Sequence, residues 1–322
     1  MSKDLDVLEE FLNMSVFSAD PVFEKFQTDE NGRIFNVNGN KCYFKPGTRN
    51  DRILIIAHAD TVWDERYGRF TNYIFDEDKK SKTKGKKVKI EQKPVKQTES
   101  YMYSDSNEIG IGADDRAGAA IAWLLKDSGN SILITDKEEI GAHSARSLIE
   151  DKNFREIIKS HRFILQFDLK GDKNFKCYNV GSRDFKTMLE FRTKYKMLPN
   201  SSFTDVAILG KDICGANFSV GYYHEHTPNE YIDKKQWLNT LKVARKLSRM
   251  RHQQFYTDPN FSKTFDEESF QQYLNNRKKG INASENFEVF DNISIAKREY
   301  GLEEDEEMEI LDFEEENGIE ME

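Results

Sequence analysis

The stretch Ile53-Leu-Ile-Ile-Ala57-His58-Ala-Asp60-Thr61 decides how this chain is read. An unbroken apolar run of this length has no solvated face, so it reads as a strand covered on both sides, and such a strand needs helices packed above and below it. The run ends on a histidine with an aspartate two residues on, placing a polar pair where the strand leaves the sheet. Four later segments repeat this arrangement: Gly112-Ala-Asp114-Asp115-Arg116-Ala-Gly118, Asp136-Lys-Glu138-Glu139-Ile-Gly141, Phe167-Asp168 and His226-Thr-Pro228. Each follows an apolar run or opens a helix. Carboxylates and imidazoles without a thiolate are the ligands that suit zinc, manganese or cobalt.

Outward from that strand, the chain alternates strands with helices. Toward the N-terminus, Asp4 to Met14 carries apolar residues at helical spacing, and Ile34–Val37 and Lys41–Phe44 flank Asn38-Gly39, the pair that favours a tight primed hairpin turn. Toward the C-terminus, a helix is expected from Arg116 to Lys126 and a strand at Ser131–Thr135. A helix over Gly141–Ile149 and a strand at Arg162–Phe167 come next, then a helix over Phe185–Tyr195, a strand at Ile213–Val220 and a long helix over Lys234–Met250. This order predicts a three-layer α/β/α domain with a mixed, mostly parallel sheet. In such sheets ligands bind beyond the carboxyl ends of the strands, where His58, Glu138 and Asp168 all stand. The small residues Ala117-Gly-Ala-Ala120 allow the helix after Asp115 to lie close on the sheet.

Composition bounds the rest. With 322 residues the chain can bury a large core without staples, and its three cysteines, Cys42, Cys177 and Cys214, form neither a disulfide framework nor a C-x-x-C zinc site. A reducing, cytoplasmic setting fits them. No leader-like N-terminus and no apolar run of roughly 20 residues is present, so a membrane is not expected. The net charge of -9 argues against nucleic acid as the main partner, although the charge is unevenly spread. Lysines crowd residues 79–89, inside an insertion expected at about 66–106, and acids crowd residues 303–316. The organisation expected is a catalytic domain over 1–250 without a lid, followed by a 251–322 extension whose acidic end is disordered.

The acidic and imidazole residues supply every part of a two-metal hydrolytic centre. Asp114 can bridge two ions, His58 and Asp168 can complete one, and Glu139 with His226 can complete the other. Glu138 is then left as general base, taking a proton from the shared water and passing it to the leaving amine.

The five motifs, in this order, resemble those of the zinc-dependent exopeptidase superfamily with co-catalytic metals, and most closely peptidase T and the tetrahedral aminopeptidases. That superfamily shows His-x-Asp-Thr, Gly-x-Asp-Asp-[Lys/Arg]-x-Gly, Glu-Glu-x-Gly, a lone Asp after a strand and a late His. The resemblance spans about residues 58–250. It implies two divalent ions, zinc foremost with cobalt or manganese as substitutes, and an aminopeptidase-like (phosphorylase/hydrolase-like) fold. It implies His58, Asp114, Glu139, Asp168 and His226 as ligands, Glu138 as base, Asp60 as the carboxylate that orients His58, and a cis peptide between Asp114 and Asp115. The substrate expected is a short peptide or another amide, and a homo-oligomer is compatible. The alternatives are an amidohydrolase or deacylase acting on a non-peptide amide, and a catalytically silent binding protein of the same fold. Two departures stand out. The interval from Asp168 to His226 is too short for the lid of peptidase T, and the interval from Asp60 to Asp114 is short and lysine-rich where the tetrahedral enzymes insert a β domain.

Other residues read less sharply. His226 is preferred to His224 because Thr-Pro follows it. Asp115, His224 and Tyr223 are candidates for substrate contact or support of the ligands, and Asp205 for a helix cap or a site support. Arg116 reads as a surface or supporting residue, His161 and His252 as surface residues, and His143 as structural.

Overall fold

In the computed structural model, residues 3–68, 73–75, 87–199 and 203–261 are described. The chain begins with helices α1 (Lys3–Leu12) and α2 (Asp20–Gln27), then strands β1 (Arg33–Val37), β2 (Asn40–Lys45) and β3 (Leu54–His58). Four short strands follow: β4 (Tyr73–Phe75), β5 (Lys87–Lys89), β6 (Lys96–Gln97) and β7 (Tyr101–Tyr103). Next are α3 (Ala113–Leu124), β8 (Ser131–Thr135), α4 (His143–Glu150), α5 (Lys152–Lys159), β9 (Ile164–Leu169), β10 (Asn174–Lys176) and α6 (Arg183–Thr193). The described chain is completed by β11 (Lys196–Met197), α7 (Asp205–Leu209), β12 (Gly215–Ser219), β13 (Tyr222–Tyr223), β14 (Tyr231–Asp233) and α8 (Lys234–Arg249).

The main sheet has the order β1-β2-β8-β3-β9-β12-β10-β11. Its four central strands, β8, β3, β9 and β12, are parallel, while β2 and β10 join them antiparallel on either side. Residues of β3 alternate between two cores. Ile55 and Ala57 pack with the helices α1, α3 and α8, whereas Leu54 and Ile56 pack with α4, α5 and α7. The apolar run is therefore covered on both faces, giving the expected three-layer α/β/α domain with a mixed, mostly parallel sheet. From β3 the chain crosses to β8 on one side and returns to β9 on the other, so His58 ends the strand at which the order reverses. A crevice opens at such a point in an α/β sheet.

Local sequence explains most elements. Asn38 and Gly39 both take positive φ in the β1–β2 turn, as a primed hairpin requires. Ser182 and Asp233 accept amide hydrogens of Phe185 and Gln236 at the starts of α6 and α8. Three helices were not anticipated, the short α7 and two others. In α2, Pro21 occupies the first turn, where its missing N–H is harmless, and Val22, Phe23 and Phe26 are buried. In α5, Asp151 caps the Phe154 amide one residue after α4 ends, so the two short helices read as one interrupted pattern.

The stretch 66–106 is more than a loop thrown out between core elements. Its first part makes the β4–β5 hairpin, but β6 and β7 join β13 and β14 in a separate four-stranded sheet, β13-β14-β7-β6. Residues 76–86, which hold most of the lysine run, lie outside the described residues, as does the extension beyond residue 261 with its acidic end.

Two histidines are placed differently from expectation, and the open reading of Arg116 is resolved. Arg116 is fully buried rather than superficial, and its guanidinium donates to the carbonyls of Ala59, Ser15 and Ser18, tying the N-terminal segment to the end of β3. His161 is buried as well. Gly47 N–H donates to Ser131 Oγ, which lies 2.7 Å from His161 Nε2, and His161 Nδ1 lies 3.1 Å from the Ile158 carbonyl; burial favours the neutral ring. His252 is half-buried against Phe163, with Nε2 at 2.6 Å from the Leu247 carbonyl. Neither histidine stands in a motif, and their burial was decided by long-range packing. His143, in contrast, is an exposed first residue of α4. Among the described residues no helix is long and apolar enough to cross a membrane, and the three cysteines are buried and free.

Candidate metal centre

His58 projects from the last position of β3, Glu138 and Glu139 from the loop after β8, and Asp168 from the end of β9. Because β8, β3 and β9 are parallel neighbours, all three segments reach the same end of the sheet. Asp114 arrives from the first turn of α3, where Gly112 at positive φ reverses the chain and the Asp114–Asp115 peptide is cis, as the resemblance implies. His226 comes from the loop between β13 and β14, hence from the smaller sheet.

The five segments meet. Asp114 turns one carboxylate oxygen to each imidazole, with Oδ1 at 3.1 Å from His58 Nε2 and Oδ2 at 3.1 Å from His226 Nε2. Asp168 Oδ2 is 3.8 Å and Glu138 Oε2 4.0 Å from His58 Nε2, whereas Glu139 Oε1 is 3.4 Å from His226 Nε2. One atom each from His58, Asp114 and Glu139, and likewise from His58, Asp115 and Asp168, lie within 4.8 Å of one another.

Supporting contacts fix these groups. His58 Nδ1 is 3.0 Å from the backbone carbonyl of Asp60 and 3.5 Å from its carboxylate, so the carbonyl is the nearer partner of the ring. The Asp60 carboxylate is instead engaged by the amides of Glu138 and Glu139, at 3.1 and 3.2 Å, and by the Tyr67 hydroxyl at 2.6 Å. It thereby holds the glutamate loop against the end of β3. Asp115 is fully buried and accepts from the amides of His58 and Gly118, so its carboxylate pins α3 to β3. Asp168 accepts from Gln166 and Thr204 on one oxygen and from the Tyr222 hydroxyl, at 3.2 Å, on the other. Of the two adjacent tyrosines, Tyr222 thus reaches the centre, while the Tyr223 hydroxyl bonds Gln236. His224 is exposed and lies beside the Tyr231 ring, outside the cluster.

Asp205 does not cap α7, where Thr204 holds the cap position. It is buried and accepts the hydroxyl hydrogen of Thr135, the residue paired with His58 across β3 and β8. Burial, with further influence from Asp60 and Asp136, pushes its carboxyl up to about 6 against the Thr135 hydrogen bond. Glu230 was missed altogether. It is buried and accepts from the amides of Gly112 at 2.7 Å and Asp114 at 3.2 Å, so it shapes the turn that presents Asp114. Burial and the charge of Asp114 raise its carboxyl to about 8. Its only sequence signal was its place four residues after His226, which spacing alone cannot distinguish from an exposed loop acid. Tyr67 was likewise invisible inside the insertion.

The electrostatics are those of crowded acids. Burial raises Glu138, Asp168 and Glu139 above the ordinary carboxylate range; Asp114 adds to all three, and His58 opposes it. Asp114 behaves oppositely. Burial disfavours its charge, but the hydrogen bonds to His226 and His58 hold it below that range. Burial also disfavours the charge of both imidazoles, yet the surrounding carboxylates raise His58 and bring His226 up to about 11. Positive charge is the missing complement of this cluster. Glu139 Oε1 is moreover buried with nothing but the 3.4 Å approach of His226 Nε2 to meet it, an arrangement that costs free energy unless a cation is close.

No family model matches the sequence, and no curated protein does. Solved structures do. The fold is similar to that of aminopeptidase PepT from Bacillus cereus, at 15% identity over 77% of this chain and 97% of that one, with a TM-score of 0.51. A tripeptidase from Staphylococcus aureus matches at 12% identity over 77% of this chain and 98% of that one, with a TM-score of 0.51. The TET1 peptidase of Pyrococcus horikoshii, which can assemble into a tetrahedron or a large octahedral shell, matches at 13% identity over 76% and 99%, with a TM-score of 0.52. At these identities the likeness is one of fold.

Proposed function

We propose that this chain is a dinuclear metal-dependent hydrolase, an exopeptidase of the aminopeptidase type acting on short peptides. The observation that carries the reading is Asp114, whose two carboxylate oxygens face two different imidazoles, each with its own acidic companions. His58 with Asp168 would hold one ion and His226 with Glu139 the other, with Asp114 shared. The donor set fits: two imidazoles, three carboxylates, no thiolate, and a buried carboxylate oxygen otherwise without a partner. Bound there, a pair of divalent ions, zinc foremost, supplies Lewis acidity and an acidified water.

The chain's own residues do the rest. Asp60 fixes the glutamate loop through two amides, so that Glu139 faces His226 and Glu138 stays beside His58. Glu138 takes the proton from water and returns it to the leaving amine. Tyr222, Gln166 and Thr204 keep the Asp168 carboxylate oriented, and Glu230 keeps the Asp114 turn closed. We place this activity on residues 1–250, in a cytoplasmic setting.

The test is elemental analysis of the purified chain after reconstitution with zinc, cobalt or manganese, combined with a screen of aminoacyl, dipeptide and N-acyl substrates. Two equivalents of metal and chelator-sensitive peptide hydrolysis are expected. Trace metal only would overturn the centre, and turnover restricted to N-acyl substrates would overturn the peptidase assignment.

A further inference from the structure

The small sheet β13-β14-β7-β6 carries the His226 loop, and its outward face has a feature that the metal centre does not use. Tyr223, Tyr231, Tyr103 and Lys96 stand directly opposite one another across its four strands. The alternate residues Met102 and Ile232 are buried on the other face. Tyr101 is 42% and Tyr103 37% exposed, unusual for large aromatic side chains in a regular sheet. A cavity of about 530 Å³ opens here, lined by Tyr101, Tyr103, Tyr231, Asp105 and Glu230 among others. Glu230 is the wall it shares with the centre, since the same carboxylate accepts the Asp114 amide.

The lining chemistry is specific. Tyr101 and Tyr231 meet at 82° with ring centroids 5.3 Å apart, so two aromatic walls stand at a right angle. Asp105 supplies a carboxylate beside them, and the Lys96 ammonium lies 3.8 Å from it, an exposed and loosely held pair. Tyrosine faces set at an angle, with a carboxylate nearby, attract a cationic head group while packing its aliphatic stem.

We propose that this cavity is a subsite for a lysine or arginine side chain of the substrate, giving the enzyme a preference for basic peptides. The proposal rests on the metallopeptidase reading, because the cavity adjoins the centre through Glu230 and the loop from His226. The cationic side chain would replace Lys96 as the partner of Asp105 and lie between the Tyr101 and Tyr231 rings.

The test compares tripeptides that differ only in lysine, arginine, norleucine or glutamate at one position, using zinc-reconstituted protein. Lysine and arginine peptides should exceed the norleucine peptide by about tenfold in kcat/KM, and Asp105→Asn or Tyr101→Leu should remove most of that margin, read as the ratio of the lysine to the norleucine peptide within each variant. Both substitutions are at exposed positions and leave the metal ligands untouched. An equal kcat/KM for lysine and norleucine peptides, or a lysine preference that survives both substitutions, would overturn the subsite. Calorimetric binding of the same peptides separates the two readings. Lysine-selective binding weakened by Asp105→Asn, with no hydrolysis of any peptide, would retain the cavity and reject the peptidase, whereas unselective binding would reject the cavity itself.

Discussion

Glu138 and Glu139 are sequence neighbours with different surroundings, and the difference can be measured. Glu139 reaches toward His226 with an oxygen that has no other partner, so Glu139→Gln should lower metal occupancy. Glu138 lies at 4.0 Å from His58 and is the carboxyl assigned to proton transfer. Glu138→Gln should keep two equivalents of metal by elemental analysis while turnover falls by at least about 10²-fold, the usual scale of a general-base contribution. Exchanged outcomes would reverse the roles. At this scale the sequence was legible where a motif pairs a residue type with a strand end, as at His58 and Asp168, or with a helix start, as at Asp114. It was illegible for Glu230, Tyr67 and Tyr222, whose contributions are hydrogen bonds to groups distant in sequence.

Helix α3 approaches β9 so closely that a methyl group on Gly118 would collide with the Asp115 carboxylate and the Phe167 carbonyl. The small residues of α3 are therefore a packing requirement, foreseeable from Ala117-Gly-Ala-Ala120. Gly118→Ala should destabilise the fold by about 1–3 kcal/mol, the typical cost of overpacking, and displace the Asp115 carboxylate from the His58 amide. Urea unfolding and metal affinity would both register it; unchanged values in both would show that the contact relaxes freely. The ends of the same strands behave differently. Beside Ser131 at the start of β8, opposite the candidate centre, burial depresses His161 from 6.5 to about 4. An imidazole with a lowered pKa is neutral in the fold but takes up a proton when unfolded between those values. Stability is therefore retained above about pH 6.5 and lost as pH falls toward 4, by about 3 kcal/mol in all. His161→Gln should lose about 2 kcal/mol less than the native chain between pH 7 and pH 5 in urea titrations, and equal losses would refute the burial argument. Elements with an unbroken apolar run, as in β3, or with helical spacing, as in α8, were legible from sequence. The short ones, β6, β7 and β14, were not, because strands of two or three residues carry no period and are held by pairing partners far along the chain.

On the scale of the whole molecule, the proposed ligands draw on both sheets. His58, Glu139 and Asp168 stand at the ends of parallel strands, Asp114 on the helix that covers them, and His226 on a loop of the small sheet. Divalent ions held by all of them stabilise the native state alone, by an amount that grows with free metal concentration. Chelator should lower the melting temperature of the native chain, with no such effect on a His58→Ala/His226→Ala variant; equal shifts in both would place the metal elsewhere. The order of events along the folding path follows from where the ligands lie in the chain. No local turn or hairpin holds both imidazoles, since they enter from residues 58 and 226, so a partly structured chain offers only a few scattered ligands. Metal capture at full affinity must then follow the rate-limiting barrier rather than precede it. Bound ions should slow unfolding markedly and change the refolding rate little, making the centre a latch on the finished structure and not a nucleus for it.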